Sequence, residues 1–164
     1  MRAWPNWTAP GTQRAPAGND VREEEEVFDS PRDWVGEHVR RYVETGGEDG
    51  HLWRGVPTLL LTTRGRRSGK LRRTALIYGR DGDRHVVVAS TGGADRHPLW
   101  YLNLVAHPNV RVQVGSEQFL ARARTASAEE KPRLWPLMTA IWPAYDQYQA
   151  RTTRSIPVVL LEPA

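Results

Sequence analysis

The sequence predicts an α+β domain built on a small antiparallel β-barrel of about six strands with about three flanking helices. Three observations carry this. Short β-prone runs are joined by hairpin-sized turns, as at Asp81-Gly82-Asp83 and Gly115-Ser116. Other stretches repeat apolar residues at helical spacing. Finally, a sheet of so few strands leaves two exposed edges unless it closes on itself, and closure also creates a pocket at the barrel mouth.

Residues 1–27 read as a flexible tail. Pro5, Pro10, Pro16, Gly11 and Gly18 accompany the acidic run Glu23–Glu26, and no period persists. Trp4 and Trp7 are unusual there; docking on the domain or contact with a membrane surface would each employ such amphipathic rings. The single folded domain is expected over residues 28–164. Ser30-Pro31-Arg32-Asp33 resembles a helix start, with Ser as N-cap and Pro at the first position. Trp34, Val35, His38, Val39, Tyr42 and Val43 then follow at helical spacing, and Gly46-Gly47 ends the run.

Strands are expected at Thr58–Thr63, Arg72–Tyr78, His85–Ala89, Val110–Val114, Gln118–Thr125 and Ile156–Leu161. Pro98 opens a short helix through Trp100, Tyr101, Leu104 and Val105. Ser127-Ala128-Glu129-Glu130 is a capping box launching a helix with Leu134, Trp135, Leu137, Met138 and Ile141. Pro143 interrupts that helix before a further turn carrying Tyr145 and Tyr148.

Composition narrows the function. The 164 residues contain no Cys, which removes disulfides, thiol catalysis and Cys-based metal sites. No apolar run reaches signal-peptide or membrane-span length, so a cytoplasmic location is expected. The net charge of +4 is uneven: residues 51–80 hold eight basic side chains and no acid, so the remainder is net negative. This concentration reads as a local anion site.

That site centres on Arg64-Gly65-Arg66-Arg67-Ser68-Gly69-Lys70-Leu71-Arg72-Arg73. Its glycines let backbone N–H groups converge on an anion. It is not a Walker A loop, which needs four residues between its glycines and Ser or Thr after Lys. A second candidate is Ala89-Ser90-Thr91-Gly92-Gly93, where small residues at a strand end let a flat ligand approach the backbone. The third is His97-Pro98-Leu99-Trp100-Tyr101-Leu102-Asn103, with Asn103 able to meet a ring edge. His97 has no companion at ligand spacing, so no metal is expected. In the fourth, Trp142, Tyr145 and Tyr148 share one helical face, and the Tyr hydroxyls favour a pocket wall over a dry core. With no Ser–His–Asp set or paired carboxylates, the pattern fits a protein that holds a cofactor bringing its own chemistry.

The runs LLLTTRGRRSGKLRRTALIY, VVVASTGGADRHPLWYLNLVAHPNVRVQVG and WPAYDQYQARTTRSIPVVLLEP together resemble the deazaflavin-dependent nitroreductase family of actinobacteria. The resemblance implies a split β-barrel related to FMN-binding flavin reductases but selecting coenzyme F420, a deazaflavin with a phosphate and an oligoglutamate tail. It carries the phosphate and tail contacts onto Arg66, Arg67 and Ser68, with Gly69 and Lys70 beside them. Arg72, Arg73, Thr74, Ala75, Leu76 and Ile77 fall on the segment lining the cofactor. Val88, Ala89, Ser90 and Thr91 fall on the strand end against the deazaflavin, and Leu99, Trp100, Tyr101, Leu102 and Asn103 on the helix flanking it. Tyr145 and Tyr148 match positions closing over the substrate, and Ser90 one that orients or protonates it.

The implied activity is hydride transfer from F420H2 to a quinone-like or nitroaromatic acceptor. Trp142 stands where a nitroimidazole-reducing member has Tyr, which narrows the acceptor range. FMN is the alternative cofactor, and a non-catalytic F420 carrier the alternative role. A nucleic-acid partner is not expected, because the basic residues cluster in one loop instead of along a duplex-length face. The sequence does not specify an oligomeric state.

Overall fold

The computed structural model describes residues 26–29 and 33–164, with only the backbone described for 33–35. Trp4, Trp7, most of the acidic run and the Ser30-Pro31 cap lie outside the described residues. Among those described, the elements in order are β1 (Val27–Asp29), α1 (Asp33–Thr45), β2 (Leu52–Trp53), β3 (Val56–Arg64), β4 (Leu71–Ile77), β5 (Gly79–Asp81) and β6 (Arg84–Val88). Then come α2 (Leu99–Ala106), β7 (Asn109–Val114), β8 (Glu117–Thr125), α3 (Lys131–Ile141), α4 (Ala144–Ala150) and β9 (Val158–Pro163).

The α+β class stands, with nine strands and four α-helices among the described residues in place of about six and about three. The surplus has local causes. β2 is two residues long and leaves no periodic signal. β1 lies parallel to β4, with Val27 opposite Leu71, so pairing draws Val27 out of the expected tail. Pro143 cuts the last helical region into α3 and α4, because it cannot donate the bond that would continue the helix.

The strands share one sheet in the order β1-β4-β3-β7-β8-β9-β6-β5, with β2 appended to β3. β5 is also the continuation of β4 beyond a single residue, Tyr78. The ribbon β4–β5 therefore pairs with β3 along its first half and with β6 along its second, which closes six strand paths into a ring. Gly79 sits at the bend: a Cβ there would lie 2.7 Å from a Leu137 methyl and 2.8 Å from the Met138 sulfur, so α3 packs against bare backbone.

Leu59, Leu61, Val87, Val112, Phe119 and Leu161 face inward into one core, capped by Leu104 of α2. Their neighbours Val86, Val88 and Leu160 face outward, under Leu134, Met138 and Tyr145 of α3 and α4. Both faces of β6 and β9 are thus covered, which is why those strands read as unbroken apolar runs rather than alternating ones. On the other side, Val39 and Tyr42 of α1 pack on Leu60 and Ala75. The expected capping box forms: the Ser127 N–H donates to Glu130 Oε1 at 2.9 Å, and the Glu130 N–H to Ser127 Oγ at 3.2 Å.

Polar side chains are also buried among the described residues, His85 the most completely. His85 is fully buried between Tyr78 and Phe119, and neither ring nitrogen has a hydrogen-bond partner among the described residues. Burial, then the nearby Arg80 charge, lowers its pKa from 6.5 to about 4. The unfolded chain thus takes up a proton near pH 6.5 that the folded one refuses until about 4. Stability present above pH 6.5 is accordingly lost as the pH falls through that window, by an amount on the order of 3 kcal/mol. Urea unfolding at pH 7 and 4.5 should show this loss in the native sequence, and His85→Leu should remove most of it.

Candidate active site

A cavity of about 380 Å³ opens beside the β4–β5 bend, within the range of small-molecule sites. Thr74, Ala75, Leu76 and Ile77 of β4 form one wall. Val88 at the end of β6, with Ser90 and Thr91 beyond it, forms a second. Pro98 and Trp100 close one side, and Trp142, Tyr145 and Tyr148 of the α3–α4 elbow form the lid. The expected residues that meet here are thus Thr74–Ile77, Val88, Ser90, Thr91, Trp100, Tyr145 and Tyr148, drawn from four separate parts of the chain.

Three lining residues escaped the sequence reading: His38 of α1, Trp53 of β2 and Thr58 of β3, whereas Pro98 belongs to the third candidate run. His38 had counted as part of an apolar helix face. Its Nε2 and the Gly50 carbonyl oxygen are 2.6 Å apart, which holds the ring in place. Trp53 packs against Trp142 with ring centroids 5.4 Å apart. A two-residue strand gives no pattern from which that wall could be foreseen.

The lid is chemically graded. Tyr145 is 5% exposed, and burial holds its phenol well above the ordinary Tyr range, with Tyr148 adding to the effect. It therefore stays protonated, with a hydroxyl proton available to donate. Its ring meets Tyr148 edge-on at 6.0 Å. The Trp142 indole N–H donates to the Tyr148 hydroxyl at 3.3 Å, so the Tyr148 proton is free to point elsewhere. Trp142 lacks a hydroxyl yet orients the neighbouring one.

The basic loop lies off the cavity, at the head of β4. Arg66, Arg67, Ser68, Gly69, Lys70, Arg72 and Arg73 do not line the cavity. The loop is closed by Gly65 N–H to Lys70 O at 2.7 Å and Gly69 N–H to Gly65 O at 2.9 Å. Arg73 is committed elsewhere, bonded through Nε to Asp29 at 2.6 Å. Lys70 and Arg72 stand over the Phe28 ring at 5.1 and 5.3 Å. Among the described residues, no carboxylate pairs with Arg66, Arg67, Lys70 or Arg72. Four cations left without acids in one place fit a multiply anionic ligand.

Part of the α2 segment also lies outside the cavity. Leu99 is 72% exposed, and Ala89, Tyr101 and Leu102 are not in the lining. Tyr101 bonds instead to Thr125 Oγ1 at 2.8 Å. Asn103 is buried beneath the basic loop: its Oδ1 accepts the Arg66 N–H at 3.1 Å, and its Nδ2 donates to Thr63 Oγ1 at 3.3 Å. Asn103 therefore meets the anchor of the loop, and no ring edge within the cavity.

Among the described residues no cluster of His, Asp or Glu could hold a metal ion, and no helix is long and apolar enough to cross a membrane. Residues 34–163 match the sequence pattern of a family described as F420H(2)-dependent quinone reductase. A Mycobacterium tuberculosis protein named F420H(2)-dependent quinone reductase Rv1261c is 41% identical over 128 residues, covering 76% of this chain and 86% of its own. A solved structure of an F420-H2 dependent reductase, FDR-A, is 39% identical with a TM-score of 0.61, over 65% of this chain and 94% of its own. Another, described as a domain-swapped dimer, is 40% identical with a TM-score of 0.63, over 81% of this chain and all of its own.

Replacing Asn103 with Leu strands the Arg66 N–H and the Thr63 hydroxyl, and should cost about 1–3 kcal/mol in urea unfolding. The same change should weaken anion binding at the loop, read by the salt dependence of ligand affinity.

Proposed function

This chain belongs to the F420H(2)-dependent quinone reductase family, and we propose how its cavity and basic loop divide that work. The protein is an F420-dependent oxidoreductase that reduces a quinone acceptor. One observation carries the assignment of parts: the acid-free cations stand at the head of β4, the strand that lines the aromatic cavity further along. From Lys70 to Ala75 the chain advances about 17 Å at strand rise. A cofactor lying along β4 would place its ring in the cavity and its anionic chain on Arg66, Arg67, Lys70 and Arg72. FMN, with a single phosphate and no glutamate tail, would leave most of those cations unused.

The cavity fits such a group on its own chemistry. Ser90 and Tyr145 have hydroxyls with no hydrogen-bond partner among the described residues, and Tyr148 has a proton to donate. When bound, reduced F420 supplies the hydride. The protein's part is to hold the acceptor over the ring, exclude water and stabilise the charge that develops on the acceptor oxygen. Ser90, Tyr145 and Tyr148 are the donors for that oxygen. Trp53, Trp100 and Trp142 supply apolar walls that raise the strength of those bonds. Nitroaromatic compounds, whose oxygens also gain charge on reduction, are incidental acceptors in this reading.

Replacing Arg66, Arg67 and Lys70 together with Gln should weaken F420 binding at least about tenfold and flatten its dependence on salt. In a fluorescence titration, F420 should bind the native protein more tightly than FMN. An unchanged F420 affinity in the triple variant would sink the assignment of the loop. Tyr145→Phe and Tyr148→Phe should each lower kcat with menadione about 100-fold while leaving F420 affinity within about threefold. Binding without any turnover in the native protein would identify a carrier instead.

A further inference from the structure

The donor Ser90 sits on an unusual stretch of backbone. Ser90 is right-handed (φ −87°, ψ −36°), and the next three residues all have positive φ: Thr91 at 47°, Gly92 at 62° and Gly93 at 87°. A β-branched residue in that region costs on the order of 1–3 kcal/mol and persists only if its surroundings hold it. One side is held by packing. A Cβ on Gly93 would lie 2.7 Å from the Tyr148 carbonyl oxygen and 2.9 Å from its Cα, so the bend rests directly on the backbone of α4.

The other side is held by Arg154, between α4 and β9. Its Nε donates to Ala94 O at 2.7 Å. Its Nη2 donates to Ser90 O at 2.8 Å, and both Nη atoms reach Ala89 O at 3.3 Å. Nη1 also meets His97 Nδ1 at 3.1 Å, and because Arg has no acceptor, that nitrogen must be the acceptor. Among the described residues no carboxylate forms an ion pair with Arg154. Asp95 adds a favourable charge from beyond ion-pair distance, and the direct partners of this partly buried cation are carbonyls and one imidazole, an expensive arrangement for stability only. Across trans peptide bonds the N–H lies opposite the carbonyl, and there is no cis bond among the described residues. With the Ala89 and Ser90 carbonyls turned to Arg154, the Ser90 and Thr91 N–H groups face the opposite way, and neither donates to a backbone carbonyl among the described residues. Both residues line the cavity.

We propose that Arg154 is a positioning residue for the reductase reaction: by drawing three carbonyls to one side of the bend, it keeps the Ser90 hydroxyl and the Ser90 and Thr91 N–H groups facing the cavity as one donor set. The ligand chemistry of that set is an oxygen gaining negative charge as the acceptor is reduced. The inference deepens the functional reading above and rests on it.

The test compares the full-length native protein with R154M, S90A and the double variant, using R154K in place of R154M should the latter not fold. R154M should speed amide hydrogen exchange at Gly93 and Ala94, whose N–H groups donate to the Ser90 and Thr91 carbonyls, at least about tenfold while β9 stays protected. It should lower kcat with menadione about 30-fold or more, with KM changed only about threefold. Because Arg154 acts through Ser90, the double variant should lose much less than the product of the single losses. Unchanged exchange and kcat in R154M would overturn the role, as would a multiplicative loss or an even rise of exchange across the whole sheet. Absence of F420H2 oxidation by the native protein would sink the functional reading itself; intact native turnover with an undisturbed bend in R154M would sink only the inference about Arg154.

Discussion

The bend at Tyr78 is the constraint on which the rest depends. It lets one ribbon serve two neighbours, β3 before the bend and β6 after it, so the sheet closes without free edges along the ring. Closure has a functional consequence. Thr74–Ile77 approach the bend along one wall of the cavity, while the same strand begins at the basic loop. The barrel thereby sets the distance between the place for a flat ring and the place for an anionic chain.

Two elements hold that strand from outside the ring. β1 pairs with it in parallel and supplies Asp29, which takes Arg73 out of the pool of free cations. α1 covers Ala75 through Val39 and Tyr42 and brings His38 to the cavity. The Tyr42 hydroxyl is latched between the Gly115 N–H at 2.6 Å and the Thr58 carbonyl at 3.0 Å, which ties the helix to the β7–β8 turn and to β3. The site is thus built on strands and packed helix faces, with the strained Ser90–Gly93 backbone confined between α4 and Arg154. Stability is concentrated around that bend so that a sparsely allowed conformation can persist within it.

Much of this was legible from residue order. The helical spacing around Tyr42, the capping box at Ser127 and the hairpin turns at Gly82 and Gly115 all act over a few residues, so sequence reports them directly. The acid-free basic block was equally visible, as was the aromatic spacing of Trp142, Tyr145 and Tyr148. Asn103 was harder: its type suits a ring edge, but its position beneath the loop makes it an anchor for Arg66. Trp53 offered no signal, and Arg154, though inside a run that carries the family resemblance, was marked by no local pattern. Arg154 follows a helix by a few residues in an irregular segment, and Trp53 belongs to a strand too short to show a period.

What the chain order determined by itself was therefore the chemistry on offer: cations in one loop, hydroxyls and rings in others, no thiols and a β-rich frame with helices around it. Only the folded arrangement decided which of those groups share a cavity and which cations remain unpaired. The physical reason is that ring closure and the parallel return of β1 join residues tens of positions apart, and such pairings depend on the burial of whole faces and not on any local preference. Among the described residues, Arg73 meets a carboxylate and Arg66 does not for that reason.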